Sequence, residues 1–209
     1  MYNQTYENRE ITQSLIDEEP VLISALDFVD CTQAQKVLTI NRDTRICRGK
    51  WNDLYFQNHL DSNMVFLIQI WGAEIDSLRT SHDSNLIANT FNDDAPDGKA
   101  IQHADLIIKK CIIEGQANLH NAAIKHLQVQ EYGNVVVDSP IGDSHVTKAV
   151  VYGTLHFNGT VPCEQIDVAP GGRVRIWNID HATDVKVRGL VRDCYIKYDE
   201  TDRCFWYYG

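Results

Sequence analysis

Short alternating apolar runs return about every twenty residues between residues 115 and 198, and each return follows a turn. In the clearest unit, Ile166 to Val168 precede Pro170-Gly171-Gly172, and Val174 to Ile176 follow it. Strand-turn-strand units at a constant period are typical of stacked architectures, in which each unit buries its apolar face only against its neighbours. Equivalent residues of successive units are 19 or 20 positions apart and are Val135, Leu155, Val174 and Cys194.

This constant step predicts a mainly β chain with a short β-solenoid (β-helix) over residues 99–209. Val, Ile and Thr dominate the region, and helix signals are absent there. Turn residues arrive about every eight to twelve positions, and that spacing also fits a β-sandwich of the jelly-roll type. We prefer the solenoid because the step is regular, and we keep the sandwich as the alternative.

Two further regions precede the predicted solenoid. Residues 1–20 are polar and acidic and read as an N-terminal arm, with a short helix from Glu10 to Asp17 that places Ile11, Leu15 and Ile16 on one face. So short a helix is marginal in isolation, so it is expected to dock on the rest of the chain. Residues 21–98 are expected to form a mixed, mainly β docking region.

The pattern within residues 21–98 is less regular. Strands are predicted over 21–29 and 36–40, and the apolar run 64–71 predicts a buried strand. Residues 51–60 carry apolar side chains near helical spacing. Residues 81–99, with a DDAPDG segment, read as an exposed loop or linker between the irregular part and the repeat.

Composition excludes several classes of function. A net charge of −10 over 209 residues argues against a nucleic-acid binder, because neutralising phosphates needs clustered Lys and Arg. The longest apolar run is far too short to span a bilayer, and the first residues lack the apolar core of a signal peptide. We therefore expect no membrane partner and no ordinary secretion.

Cysteine and histidine spacing predicts no metal site and no cofactor. The six cysteines form no CxxC pair and read as small buried hydrophobes, although Cys194 and Cys204 could pair across the final turn. His126 and His145 are nineteen residues apart, so they are expected to stack at one corner of adjacent turns as solvated imidazoles.

No catalytic residues are assigned, and enzymatic activity is left open. Polysaccharide cleavage on a solenoid needs carboxylates gathered on one face. Asp167 lies between Ile166 and Val168 and should point outward, where a stabilising ladder with Lys186 is preferred over catalysis. The carboxylates considered are Asp138, Asp143, Glu164, Asp167, Asp180 and Asp184.

Aromatic residues are the better indication of a functional surface. Trp177 follows the inward-pointing Ile176 and should face outward, where it could contact a partner or stack on a sugar ring. Four successive aromatics near the C-terminus predict a final strand, a plug over the last turn, or an anchor in a neighbouring subunit. The predicted partner- or glycan-binding residues are Trp177, Phe205, Trp206, Tyr207 and Tyr208.

A polar arm, an irregular front part and a β-repeat with an aromatic end resemble the smaller fibre, spike or adaptor proteins of tailed bacteriophages. The resemblance covers the architecture of residues 104–209. It implies a virion component made in the host cytoplasm, whose N-terminal part docks to the particle. The repeat would project outward or pack with copies of itself, often as a trimer.

Our first hypothesis is therefore a non-enzymatic structural or attachment protein that assembles with itself or with other virion proteins. The alternatives are a polysaccharide-acting β-helix enzyme and a carbohydrate-binding module that recognises a host glycan.

Overall fold

The computed structural model describes residues 2–20, 23–57, 65–89, 106–138, 144–159, 161–177 and 185–209. These residues are mainly β, with one five-residue helix, α1 (Gln13–Asp17). The strands form two large sheets, and successive strands of the chain mostly alternate between them.

Sheet A contains 11 strands. In spatial order they are β1 (Tyr2–Glu7), β3 (Ile23–Val29), β6 (Asp43–Cys47), β8 (Phe66–Trp71), β10 (Ser84–Asn89), β12 (Gln116–His120), β14 (Asn134–Asp138), β16 (Thr154–Asn158), β18 (Arg173–Ile176), β21 (Cys204–Tyr208) and β20 (Tyr195–Asp199).

Sheet B contains 10 strands. They are β2 (Glu10–Ile11), β4 (Thr32–Gln33), β5 (Val37–Ile40), β7 (Lys50–Phe56), β9 (Glu74–Thr80), β11 (Leu106–Ile113), β13 (Ala122–Val129), β15 (His145–Val151), β17 (Cys163–Val168) and β19 (Lys186–Gly189).

Neighbouring strands are parallel from β1 to β18 in sheet A and throughout sheet B. Each turn of the chain adds a strand to one sheet and then to the other, which is the stacking of a β-solenoid. The predicted solenoid is confirmed, and the facing antiparallel layers of a sandwich are not found in the described residues.

The core is built by stacking of equivalent positions from successive turns. The register aligns Ala117, Val135, Leu155 and Val174 on successive strands of sheet A, and all four are buried. Each inward side chain therefore rests on those of the turns above and below, so each turn is stabilised mainly by its neighbours.

Sheet B has a corner that recurs at the same height in successive turns. In β11, two adjacent residues, Lys109 and Lys110, both face outward between the buried Ile108 and Cys111. The next turn repeats this pattern with Lys125 and His126. Two successive outward residues require a local bend in a strand that otherwise alternates.

The corner explains a wrong element prediction in the front part. Residues 51–60 carry apolar side chains near helical spacing, but residues 50–56 form β7. Trp51 and Leu54 are buried and three residues apart because Asn52 and Asp53 occupy the corner. An interval of three mimics the period of a helix.

The front part contributes to the same two sheets as the repeat. The predicted loop over residues 81–99 is wrong for residues 84–89, which form β10, and residues 90–99 lie outside the described residues. Strands β1 and β2 of the predicted arm pair with β3 and β4. The predicted helix is observed as the shorter α1.

The N-terminal end of the core is covered. Thr12 caps α1 by accepting a hydrogen bond from the Leu15 amide (3.2 Å), and Ile16 of the helix is buried. The ring of Tyr6 stacks on the ring of Phe28, with centroids 5.6 Å apart, and the guanidinium of Arg9 lies 5.5 Å from the Tyr6 ring centroid.

The helix also occupies the free edge of β5. The side-chain amide of Gln13 donates to the Thr39 carbonyl (2.9 Å), and its oxygen accepts from the Thr39 amide (2.8 Å). A side chain thereby takes the place of the next strand, which is one way in which a sheet edge is protected from association.

Candidate functional site at the C-terminal end

The last two strands of sheet A break the parallel order. β21 pairs with β18 in the antiparallel sense, and β20 pairs with β21 in the same way. Within the described residues, sheet B ends at β19, in the same turn as β18. Neighbouring strands lie about 4.8 Å apart, so this C-terminal hairpin (β20 and β21) extends sheet A roughly 10 Å beyond β18.

The inner face of the C-terminal hairpin carries uncovered apolar side chains. Tyr207 pairs with the inward-facing Val174, so it points toward the core, and it is 6% exposed. Ile196 pairs with Tyr207 and Tyr198 pairs with Phe205, so they share this inner face. They are 54% and 40% exposed because no described strand of sheet B lies opposite them.

A groove of about 640 Å³ opens beside the hairpin, where residues 190–194 cross from sheet B to sheet A. Leu190 and Val191 line it and are 43% and 80% exposed, and Ile196 lines it as well. Hydrogen bonds hold the crossing in place, because Arg192 donates to the Gly209 carbonyl (3.0 Å) and the Cys194 thiol donates to the Tyr208 carbonyl (3.4 Å).

Cys194 is the one cysteine that is not fully buried, and it also lines the groove. Burial raises the pKa of its thiol, as it does at Cys111 and Cys163, where the pKa is about 12. All six cysteines are free, and Cys194 and Cys204 do not pair, because Cys204 aligns with Asp199, at the far end of β20 from Cys194.

The outer face of the same strands carries an arginine between two tryptophans. The guanidinium of Arg175 lies 4.8 Å from the ring centroid of Trp177 and 5.8 Å from that of Trp206. Arg175 also donates to Asp202 (2.8 Å) and to the sulfur of Cys204 (3.3 Å). Such cation–π contacts orient both rings.

Further aromatic rings extend this outer face. Tyr208 stacks on Trp206 with centroids 6.1 Å apart, and Tyr195 lies 5.8 Å beyond Tyr208. His156 contacts the edge of Trp206 at 5.5 Å. Burial, and then the nearby positive charge of Arg175, lower the pKa of His156, so its neutral form is favoured.

The five predicted binding residues are divided between two faces. Trp177 faces outward as predicted and is 47% exposed. Trp206 and Tyr208 share its outer face, whereas Phe205 and Tyr207 point inward from β21 and pack on the core. The tail is thus both a final strand and a cover for the last turn, and the binding role of all five residues stays a prediction.

Sequence analysis missed Ile196 and the pair Leu190 and Val191 as surface residues. One signal was available in residues 195–198, where Tyr, Ile and Tyr occupy both alternation phases around Lys197. A strand that is apolar on both faces is expected at the centre of a buried sheet. β20 instead lies at the edge of sheet A, which can only be recognised once the hairpin topology is known.

A charged cluster joins the last turns of sheet B. The carboxylate of Asp167 is 2% exposed and accepts from Arg188 (2.6 Å) and Gln165 (2.8 Å), and Lys148 lies 3.1 Å away. Burial alone would raise the pKa of Asp167, but these donors outweigh it and lower the pKa. The partner predicted for Asp167 is wrong, since Lys186 aligns with Gln165.

The histidine prediction is also wrong in its register. His126 pairs with Lys148, while His145 pairs with Ala123, so the two rings occupy different columns of sheet B. Aligned residues of β13 and β15 are 22 positions apart on both sides of the corner, whereas the two histidines are 19 apart. Among the described residues, no group of three or more His, Cys, Asp or Glu side chains could hold a metal ion.

Among the described residues, no two of the carboxylates considered for catalysis lie together as an acid–base pair. Asp138 bonds the imidazole of His120 (2.5 Å), and Glu164 lies 4.0 Å from His145. Asp167 is held by cations as above. Asp143, Asp180 and Asp184 lie outside the described residues.

Comparison with known proteins gives no family for this chain. No protein-family model, no curated protein and no solved structure matches it. In the part of the chain that the structure describes, no helix is long and apolar enough to cross a membrane.

Proposed function

We propose that this protein is a non-enzymatic structural or attachment component of a larger assembly, of the kind found in bacteriophage particles. In this proposal its C-terminal end is the assembly surface, through which it docks on copies of itself or on a neighbouring protein of the particle. The architecture supports the proposal, because stacked β-solenoids are covered at their ends by capping elements or by partners.

One observation carries the proposal, namely the apolar end of the core at the C-terminal hairpin. Leu190, Val191, Ile196 and Tyr198 are all at least 40% exposed and lie within nine residues of the chain. A contiguous apolar patch at an unpaired sheet edge is expensive to leave in water and typically marks a protein–protein contact.

The test compares two exposed valines at different places on the solenoid. Val191 lies at the C-terminal end and is 80% exposed, whereas Val37 lies in β5 and is 49% exposed. Sedimentation velocity of the intact chain should show an oligomer, Val191→Asp should shift it to the monomer, and Val37→Asp should leave it unchanged. Assembly that survives Val191→Asp would place the contact elsewhere and contradict the proposal.

A second candidate function, carbohydrate binding, is favoured by the outer face of the same strands. Trp177 and Tyr195 present exposed rings on the face that also carries the exposed cations Arg173 and Lys197. Exposed rings with polar neighbours can stack on sugar rings. In a gel that contains a polysaccharide that retards the wild-type protein, Trp177→Ala should reduce the retardation. Tyr132→Ala, which removes a 69% exposed ring elsewhere, should not.

A further inference from the structure

We infer that the partner at the C-terminal end is a second copy of this chain, related by a two-fold axis that runs parallel to the strands between the two sheets. The inference rests on the proposed function and adds the identity and geometry of the partner. In this arrangement the C-terminal hairpin of each copy takes the place that is missing from sheet B of the other.

The shape of the end is complementary to itself. Sheet A extends two strands beyond β18, whereas within the described residues sheet B extends one strand beyond β17, so sheet A outlasts sheet B in each copy. Rotation about the axis places the hairpin of the second copy over the inner face of the first. Ile196, Tyr198 and the partly buried Phe205 of both copies then pack against each other, which extends the core across the contact.

The same rotation pairs the outer edges of β19 and β20, which no other described strand occupies. β20 is parallel to β18, because two antiparallel pairings separate them. β19 runs in the opposite direction as the return strand of that turn, so β20 of one copy lies antiparallel to β19 of the other. Both sheets thereby continue from one molecule into the next, and the unpaired amides and carbonyls of both edges gain partners.

One end of the two paired edges carries opposite charges in this orientation. β19 begins with exposed Lys186 and leads into the apolar Leu190 and Val191. β20 begins with Tyr195 and Ile196 and leads into an acidic turn over residues 199–202, with sequence DETD. Antiparallel pairing sets Lys186 beside the acidic turn of the second copy and sets apolar residues beside apolar residues.

At the N-terminal end, β1 is the last strand of sheet A and pairs with β3, and the core beneath it is covered. This cover consists of α1 and Arg9, and the edge of β5 is occupied by Gln13. A contact between the same end of two copies closes on itself, so it gives a two-fold dimer instead of an extending filament.

The first test is a charge exchange measured by light scattering across a dilution series. The intact chain should have twice its 23.8 kDa mass and should dissociate on dilution. Lys186→Glu and Glu200→Lys should each raise the dimer dissociation constant about tenfold, as expected for an interfacial ion pair. The double variant should recover most of that loss, and Lys125→Glu, on the exposed corner of sheet B, should behave as wild type.

The second test uses Cys194 as a native probe of the groove. A thiol-reactive dye should label this one incompletely buried cysteine at least tenfold more slowly in the concentrated dimer than in the dilute monomer. In Ile196→Asp the labelling should be fast at every concentration. Circular dichroism of each variant should match wild type, because all of the substituted residues are exposed.

The outcomes separate the two proposals. A trimer mass, or a dimer that Val191→Asp dissociates but the charge exchange leaves unchanged, overturns the two-fold geometry and keeps the assembly surface. A monomer with equal Cys194 labelling at all concentrations overturns the second copy as partner. Assembly unaffected by Val191→Asp overturns the proposed function itself.

Discussion

At each end of this solenoid the apolar core and the last sheet edges need to be covered, and the two ends differ in what covers them. At the N-terminal end, α1 covers the first layer of the core, and Gln13 occupies the backbone groups of Thr39. At the C-terminal end, Ile196 and Tyr198 remain exposed beside the edges of β19 and β20 that no other described strand occupies. A chain that covers one end with its own residues leaves the other available for another molecule.

The largest expected effect comes from truncating one isoleucine at each end. Ile16 of α1 is 2% exposed, and Ile196 of β20 is 54% exposed. Ile16→Ala should lower the free energy of unfolding by about 3 kcal/mol, because it removes buried methyl groups and leaves a cavity. Ile196→Ala should cost less than about 1 kcal/mol in the dilute monomer.

Urea denaturation monitored by tryptophan fluorescence measures both values. If Ile196→Ala were as costly as Ile16→Ala at low protein concentration, the C-terminal end would be covered within the monomer, and the contrast between the ends would disappear.

A smaller effect is expected from the side chain that closes the edge of β5. Gln13→Ala removes both hydrogen bonds to the Thr39 backbone and should cost about 2 kcal/mol, since two backbone groups lose their partners. Hydrogen exchange of the Thr39 amide should accelerate. Gln128→Ala, at a half-exposed position on β13, serves as the control.

Equal exchange at Thr39 in Gln13→Ala and wild type would mean that another group protects this edge. New concentration-dependent association of Gln13→Ala would strengthen the comparison, because the variant would then expose the edge of β5 in addition to the edges at the C-terminal end.

The parts of the fold that repeat were predictable, and the parts that interrupt the repeat were not. Val135, Leu155 and Val174 follow the constant step, and they stack as predicted. The corner of sheet B adds one outward residue per turn, so the buried residues Trp51 and Leu54 are three positions apart, which is also the spacing of a helix. Local periodicity does not distinguish a bent strand from a helix when only two or three apolar residues are sampled.

The candidate site was predictable only in part, for a related reason. Trp177 follows the alternation of β18, so its outward direction could be derived from its neighbour Ile176. The exposure of Ile196 depends on what lies opposite it, and no local pattern states that sheet A outlasts sheet B. Asp167 was likewise assigned an outward direction, but its partner Arg188 depends on the register between β17 and β19.

The smallest expected effect concerns how firmly the last strand of sheet B is held beside the open end. Arg188 on β19 bonds Asp167 on β17, and Lys148 on β15 lies beside the same carboxylate. These donors lower the pKa of Asp167 despite its burial, so the folded state prefers the ionised carboxylate more than the unfolded state does. The resulting stabilisation is complete above the unfolded pKa of about 4 and is lost as the pH falls through the lower folded pKa.

Asp167→Asn should therefore cost about 1 kcal/mol at neutral pH, a modest value because Arg188 and Lys148 are partly solvated. The same variant should lose part of the pH dependence of unfolding below about pH 4. Hydrogen exchange of the β19 amides at acid pH locates the effect. Acid should loosen β19 before α1 in wild type, and in Asp167→Asn this order should already hold at neutral pH. Identical acid profiles for the two proteins would show that Asp167 does not anchor β19. The lower stability of the C-terminal end would then have to come from the hairpin.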